Sequence, residues 1–385
     1  EIKEGAVVEK VNPSYGGSVL GGFIGQSNDG RAITENTVEM TGGTVGRSIH
    51  GGYSLGNGVV RNNTVDIKGG QVTETVHGGY SNGSGNVTEN KVFVSSGEVG
   101  KAVFGGLADK NSTGVVQNNE VNITGGTLSE DVRGGQSDGS GEVKENTVTM
   151  TGGKVEKEVR GGYSNGSGNA ESNTVTINGG SVLDGIRGGQ SAGGTVTGNT
   201  IDLNGGTVAG RIYAGYSNNG TVTSNTINLN GANGIDITGA WLIGSGQHVA
   251  TGQNGNTLNI RNFKGRAQNI GNFDRIDLDL AGLTLRAGDP IIVLTEKETT
   301  RLGNSTIHLH TAQKAIAHTN SALVPRYEVI KNKTDAGLTA KNVKYEKGQI
   351  TVREKGALQA LYKVEWDGPG IDSVDGDSID LVKTG

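Results

Sequence analysis

Hydrophobic and polar residues alternate in short runs through the first two thirds of the chain. In one such run Val175 and Ile177 alternate with Thr174 and Thr176, which is the period of a strand buried on one face. The same pattern returns at Val38/Met40, Val65/Ile67, Val121/Ile123, Val148/Met150, Ile201/Leu203 and Ile227/Leu229. Because β-branched residues favour strands, the pattern predicts short β-strands in this region.

These strands belong to a repeat of about 27 residues. The repeat reads N-T-V-x-I-x-G-G, a short valine-bearing stretch, x-G-G-Y-S and a turn. Its first asparagine returns at Asn36, Asn63, Asn90, Asn119, Asn146, Asn173, Asn199, Asn225 and Asn256. A regular period between 20 and 50 residues is typical of solenoids, propellers and repeat arrays.

One repeat is the right length for one turn of a β-helix. After Ile177 and a glycine pair comes a second apolar pair, Val182 and Ile186, and a third short strand follows at 195–197. A four-stranded propeller blade needs about 40 residues, and parallel crossovers are right-handed. The sequence therefore predicts an all-β fold, a right-handed parallel β-helix (β-solenoid) of about nine coils with a β-rich C-terminal cap.

Changes in the pattern suggest four regions. Residues 1–20 read as an incomplete N-terminal coil, because the G-G-Y part of the repeat is already present near Phe23. Residues 21–256 form the repeat β-helix. Residues 257–366 still show alternating strands, but at less regular spacing. This suggests atypical terminal coils and a β-rich cap over the open end of the solenoid. Residues 367–385 read as an acidic linker.

Composition narrows the class of protein. Glycine accounts for 69 of 385 residues but occurs in pairs, which excludes collagen. The net charge of −5 argues against a nucleic-acid partner. Cysteine is absent, so disulfides and thiolate metal sites are excluded. No apolar run reaches about 18 residues. Residues 1–5 do not resemble a signal peptide, so we expect any export signal to lie upstream or to have been removed.

The recurring asparagines are expected to be structural. Equivalent residues of successive coils stack at the strand spacing, and stacked amides can donate and accept hydrogen bonds along the column. We expect a similar column of small hydroxyls near a bend, formed by Ser27, Ser54, Ser81, Ser137, Ser164, Ser191 and Ser217. No histidine column accompanies these serines, so they are not expected to be nucleophiles.

Two other columns form a candidate ligand-binding face. They place long polar and aromatic side chains beside the second glycine pair, where Arg, Tyr and Gln would suit sugar rings or anionic groups. The alternative is that these side chains only cover the glycine-rich groove. The candidate residues are His50, Tyr53, His77, Tyr80, Arg133, Gln136, Arg160, Tyr163, Arg187, Gln190, Tyr213 and Tyr216, with Phe104 and Leu107 in the same columns.

Two possible metal sites are weaker. His308 and His310 alternate on one strand, with His318 as a distant third histidine, but a solvated strand face explains them better. The tail clusters Asp372, Asp375, Asp377 and Asp380, yet their spacing departs from calcium-loop motifs. We therefore predict no metal and no cofactor.

The coils and the segment after them resemble passenger domains of type V autotransporters, surface adhesins of Gram-negative bacteria. The resemblance rests on G-G-Y-S-x-x-G-x-V-x-x-N-T-V-x-I-x-G-G, on T-L-N-I at 257–260, on N-I-G-N-F-D-R-I-D-L-D-L at 269–280 and on G-D-P-I-I-V-L-T at 288–295. It implies a β-helical stem exported through an outer-membrane barrel that is absent from this chain, with a C-terminal cap that assists folding, in a virulence-associated protein at the cell surface.

Three functions remain open at this point. The first is a non-enzymatic adhesin that binds a host or bacterial cell-surface glycan or protein through its elongated surface, as a monomer. The second is a structural stalk that presents a distal domain. The third is an enzyme acting on polysaccharides, which would need gathered carboxylates, whereas Glu35, Glu89 and Glu145 alternate with polar residues in their own column. We predict the adhesin and no catalytic residues.

Overall fold

The computed structural model describes residues 1–8, 17–246, 254–296, 300–302, 305–310, 316–318, 326–333, 338–339, 344–345, 350–353, 359–366 and 378–383. Within these residues the chain winds through stacked coils of short parallel strands. The predicted β-solenoid is therefore confirmed. The only helix in the described ranges is the 3-10 turn Gly231–Asn233, and no helix there is long and apolar enough to cross a membrane.

Four parallel sheets, named A to D here, run along the coils. Sheet A contains the strands Thr37–Met40, Thr64–Ile67, Lys91–Val94, Glu120–Ile123, Thr147–Met150, Thr174–Ile177, Thr200–Leu203, Thr226–Asn230, Thr257–Arg261, Arg275–Asp279, Thr306–His310 and Lys344–Tyr345. Sheet B contains Val7–Val8, Thr44–Val45, Gln71–Val72, Glu98–Val99, Thr127–Leu128, Lys154–Val155, Ser181–Val182 and Thr207–Val208.

Sheets C and D complete each coil. Sheet C contains Val19–Ile24, Ile49–Ser54, Val76–Ser81, Val103–Ala108, Val132–Ser137, Val159–Ser164, Gly185–Ser191, Gly210–Ser217, Ala240–Ser245, Asn269–Gly271, Thr300–Arg301 and Leu338–Thr339. Sheet D contains Ile33–Thr34, Val60–Arg61, Val87–Thr88, Val116–Gln117, Val143–Lys144, Ala170–Glu171, Val196–Thr197 and Val222–Thr223.

A coil in the repeat region thus has four strands, and the prediction of three was wrong. The second apolar pair is divided between two sheets, with Val182 in sheet B and Ile186 in sheet C. Gly180 turns the chain into sheet B with a φ of +81°, and Gly185 turns it again with a φ of +121°. Glycine adopts such angles without steric cost. The second corner does not depend on it, because the coil with Val155 in sheet B and Val159 in sheet C turns at the same place without a residue of positive φ.

The core is a column of aliphatic side chains along the axis of the solenoid. Val175, Ile177, Val182 and Ile186 are each fully buried. Val175 pairs in register with Val148 in the coil before it. Burying one such side chain contributes roughly 1.5–3 kcal/mol, and the same positions are filled coil after coil. The apolar residues of the alternating pattern are therefore the ones whose burial stabilises the fold.

A fifth sheet, E, closes the C-terminal end. Its order is Gly265–Ala267, Ile292–Leu294, Arg326–Asn332, Ser378–Lys383, Gln359–Trp366, Ile350–Arg353, Ile316–His318 and Thr284–Leu285. The first three and last three strands pair in parallel, as coils do. Ser378–Lys383 and Gln359–Trp366 join these two groups by antiparallel pairing. Strand edges that the last coils would expose are paired in this way.

The predicted acidic linker contains a strand of sheet E, so the predicted boundary of the cap was wrong. Residues 367–385 were expected to be a linker, but Ser378–Lys383 is a strand of sheet E. Ile379 and Leu381 are fully buried, and Asp380 between them lies 3.1 Å from the Arg326 guanidinium. The composition hid this strand because its apolar residues follow a run of aspartates and glycines. Asp372, Asp375 and Asp377 lie outside the described residues.

Candidate functional site

The recurring asparagines form a hydrogen-bonded ladder inside the solenoid. Each Nδ2 donates to the Oδ1 of the asparagine in the next coil at 2.8–3.0 Å, from Asn36 to Asn256. The backbone N–H of each donor residue also donates to that oxygen, as Asn146 does to Asn173 at 3.1 Å. Asn63 and the members after it are almost completely buried, so the ladder is a structural element and offers nothing to a ligand.

The second glycine pair makes room for this ladder. A Cβ built on Gly162 would lie 2.4 Å from Nδ2 of Asn173, and one on Gly161 would lie 2.4 Å from the carbonyl oxygen of Gly188. Real Cβ atoms do not approach so closely. The G-G pair therefore lies within sheet C, where the backbone passes against the asparagine amides, and forms no corner of the coil.

The serine column is internal. Ser164 and Ser191 are fully buried, and Oγ of Ser191 accepts a hydrogen bond from the Gly194 N–H at 2.8 Å. Ser27 does not belong to this column, because Ile24 pairs with Ser54 and Ser27 is exposed. The prediction of Ser27 was wrong because the loop between Ile24 and the next strand of sheet D is longer than the equivalent loops of later coils.

The twelve residues of the candidate face lie together on the outer side of sheet C, with Phe104 and Leu107 in the same columns. They form two files, here called the inner file and the outer file, and each residue pairs in register with its neighbours in adjacent coils. The inner file is His50, His77, Phe104, Arg133, Arg160, Arg187 and Tyr213. The outer file is Tyr53, Tyr80, Leu107, Gln136, Tyr163, Gln190 and Tyr216.

The aromatic part of the two files is packed against itself. The rings of His50 and His77 stack with centroids 4.5 Å apart, and those of Tyr53 and Tyr80 stack at 4.8 Å. His50 also meets the Tyr53 ring edge-on at 5.0 Å. The stack continues from His77 to Phe104 at 4.8 Å. These contacts cover the outer side of sheet C at this end with the protein's own rings.

Packing leaves the two histidines hidden and neutral. His50 is 7% exposed and His77 is 5% exposed. Burial lowers the pKa of His50 to about 3 and lowers the pKa of His77 well below the ordinary value for histidine. Tyr80 donates its hydroxyl proton to Asp109 at 2.9 Å, and burial raises the Tyr80 pKa. This end of the face has little contact surface to offer a ligand.

The three arginines of the inner file are held in an ion-pair network. Nη1 of Arg160 lies 3.1 Å from Asp131, and Arg160 also bonds to Glu158. Arg133 pairs with Asp131, and Arg187 pairs with Glu158 at 2.8 Å. The five charged side chains alternate in sign along the solenoid, and each is less than one fifth exposed.

Two members of this network were missed in the sequence. Asp131 and Glu158 each stand two residues before an arginine, in D-V-R and E-V-R. A spacing of two places both side chains on the same side of a strand, and the solenoid stacks the two motifs. That signal was available. Burial, followed by the neighbouring charge of Arg160, lowers the pKa of Arg133, which fits a crowded and partly dehydrated group.

Tyrosine rings are the most accessible part of the face. Arg133 and Arg160 lie over the Tyr163 ring, and Arg187 lies 4.8 Å from the Tyr216 ring centroid. Both tyrosines are half-buried. The hydroxyl of Tyr163 donates to Asn165 at 2.7 Å. The guanidinium groups are therefore engaged with carboxylates and rings, and Gln136 and Gln190 are buried. The face therefore presents mainly the edges of its half-buried tyrosine rings.

Of the suggested metal ligands, only His308 and Asp380 have described side chains. Nδ1 of His308 lies 3.2 Å from Asp277 and 2.9 Å from Arg275. The side chains of His310 and His318 lie outside the described residues. Among the described residues, no group of three histidine, cysteine or acidic side chains has the geometry to hold a metal ion.

The fold and the asparagine ladder define a class of protein: a parallel β-solenoid repeat protein with an internal amide ladder and a C-terminal cap. Comparison with protein-family models, with curated proteins and with solved structures finds no match to this chain.

Proposed function

We propose that this chain is the β-helical passenger of a type V autotransporter and acts as a non-enzymatic adhesin. The observation that carries the proposal is the unbroken register of the inner and outer files of sheet C, along a rod that sheet E closes at one end. Such a rod offers an extended lateral surface to another cell. Its partner would be a glycan or protein on a host or bacterial surface, and its location would be the outside of the bacterial outer membrane.

The motifs that carry the resemblance lie where the asparagine ladder ends. Asp274, in N-F-D-R-I-D-L-D-L, accepts the backbone N–H of Asn256 at 2.8 Å and so terminates the ladder. Ile292–Leu294, in G-D-P-I-I-V-L-T, is already a strand of sheet E. These motifs therefore form the transition from regular coils to cap, which supports a passenger whose C-terminal part has a distinct folding role.

The experiment is adhesion of particles that carry the purified, folded chain. Beads coated with it should bind cultured animal cells or bacteria, and excess soluble chain should compete. Beads coated with albumin are the control. A chain that is folded by circular dichroism but binds no cell type would contradict the adhesin proposal.

One observation favours the second candidate, a structural stalk. The histidines of the inner file are buried and its arginines are paired with Asp131 and Glu158. A stalk predicts that neither the wild-type chain nor the variant in which Arg133, Arg160 and Arg187 are all replaced by alanine binds cells. If the wild-type chain binds and the folded variant does not, the candidate face is the adhesive surface.

A further inference from the structure

A second outer surface, on sheet A, differs from the candidate face in that its threonine hydroxyls have no hydrogen-bond partner among the described residues. We define the hydroxyl face as Thr147, Thr149, Thr174, Thr176, Thr200 and Thr226. These residues lie on four successive strands in continuous register. They point away from the core, because the residues between them, such as Val148 and Val175, are fully buried. All six side chains are partly exposed.

The hydroxyls of this face have no partner within the described residues. The amides beside them are paired: Asn228 donates to Asp202 at 2.7 Å, and Asn259 donates to Asn228 at 2.7 Å. A threonine hydroxyl can donate one hydrogen bond and accept two. The face therefore presents six free hydrogen-bonding groups on a rigid parallel sheet, in rows separated by about 4.8 Å.

Charge separates the hydroxyl face from the rest of sheet A. The equivalent outward positions of earlier coils carry Glu39, Asp66, Lys91 and Glu120, and those of a later coil carry Arg275 and Asp277. Within the four strands of the face only Asp202 is ionised, and it accepts the Asn228 amide. A charged ligand would find no group of opposite charge here to offset its loss of hydration. A neutral ligand rich in hydroxyls needs no such group, because hydrogen bonds to the threonines can replace those it made to water.

We propose that the hydroxyl face binds an uncharged polysaccharide lying along the solenoid, across the strands. This rests on the proposed adhesin function and assigns its surface and ligand class. One sugar ring spans about one strand separation, so successive rings meet the hydroxyls of successive coils. The threonine methyl groups pack against the C–H surfaces of the rings, and the hydroxyls exchange hydrogen bonds with ring substituents.

The test is retention of the purified chain by cellulose, chitin and cross-linked dextran, with hyaluronan as an acidic comparison. Thr174→Lys combined with Thr176→Lys places two charges on the face. Lys91 occupies the column of Thr174 naturally, so the fold accepts lysine there. Ser181→Lys in the same coil is the matched control, because it faces outward from sheet B in register with Lys154.

The wild-type chain and the Ser181→Lys variant should bind at least one neutral polysaccharide with little dependence on salt. The double lysine variant should bind at least tenfold more weakly. Thr174→Val combined with Thr176→Val keeps the shape and removes the hydroxyls, and it should also weaken binding several-fold. This second variant keeps the test decisive if the lysines disturb folding.

Several results would overturn the proposal. They are failure of the wild-type chain to bind any neutral polysaccharide, equal binding by the wild type and both double variants, and salt-sensitive binding to hyaluronan alone. Sedimentation showing a wild-type dimer that the lysines dissociate would assign the face to a second copy of this chain. If cell adhesion persists in the double lysine variant, the adhesin proposal stands and only this assignment fails.

Discussion

The side-chain Nδ2 of Asn146 donates to Oδ1 of Asn173, 27 residues further along the chain, at 3.0 Å. The backbone N–H of Asn146 donates to the same oxygen at 3.1 Å. Both residues are fully buried. The ladder built from such pairs fixes the register of each coil on the next from within the solenoid. Outer residues are therefore free to change from coil to coil without loss of the register.

Asn146→Ala should destabilise the protein strongly. The change removes the acceptor of two donors on Asn119 and the donor to the Val116 carbonyl at 3.0 Å. Each buried group left without a partner costs about 1–3 kcal/mol, so we expect a total loss of about 3 kcal/mol. The measurement is the midpoint of urea unfolding.

Asn165→Ala is the control for this prediction, because Asn165 is exposed and lies in a loop. It should change the free energy of unfolding, calculated from the urea midpoint, by less than about 0.5 kcal/mol. Equal midpoints for the two variants would show that the ladder does not hold the coils together.

Glu145→Asn should stabilise the protein. Glu145 precedes a ladder asparagine and has a φ of +57°, a left-handed conformation that costs most residues about 1 kcal/mol and that asparagine tolerates better. Asn62 and Asn118 occupy the same column with φ of +56° and +55°. We expect a rise in melting temperature equivalent to about 0.5 kcal/mol. Glu130→Asn, the same chemical change at an exposed position without positive φ, should give no such rise.

His50→Phe should reduce the loss of stability in acid. Burial lowers the pKa of His50 from 6.5 to about 3. Between these values the unfolded chain binds a proton that the folded chain does not, so the free energy of unfolding decreases as the pH falls. The slope is about 1.4 kcal/mol per pH unit for one histidine. Phenylalanine does not titrate, and Phe104 already occupies this file.

The check is urea unfolding of the wild type and of His50→Phe between pH 6.5 and pH 5, above the range where most carboxylates titrate. The two stability curves should diverge as the pH falls, with the variant flatter. Parallel curves would mean that His50 binds a proton as readily in the folded protein as in the unfolded chain.

Arg160→Ala should cost about 2 kcal/mol, because it leaves Asp131 and Glu158 without one of their charged donors in a partly buried site. Thermal unfolding measures the effect. Lys154→Ala is the comparison: its pair with Glu156 at 2.7 Å is exposed, and exposed pairs contribute about 0–1 kcal/mol. A larger effect at Lys154 than at Arg160 would contradict the network.

Periodicity alone was enough to predict the coils. Val175 and Ile177 alternate in a strand, and the spacing from Asn146 to Asn173 gives the length of one turn. The division of Val182 and Ile186 between two sheets could not be read in this way, because two apolar residues four positions apart fit either one strand or two. Only the strand pairing, which places Val182 in sheet B and Ile186 in sheet C, shows the corner.

The amino-acid sequence was enough to predict the repeat, the buried alternation and the residue types of each column. These are periodic properties, because like side chains recur about every 27 residues. Tertiary structure decided which columns remain available to a partner. Arg160 looks like a free cation in the sequence but lies between Asp131 and Glu158, whereas the unpaired threonines of sheet A looked like ordinary strand residues. Burial and pairing depend on neighbours from adjacent coils, and the fold alone brings those neighbours together.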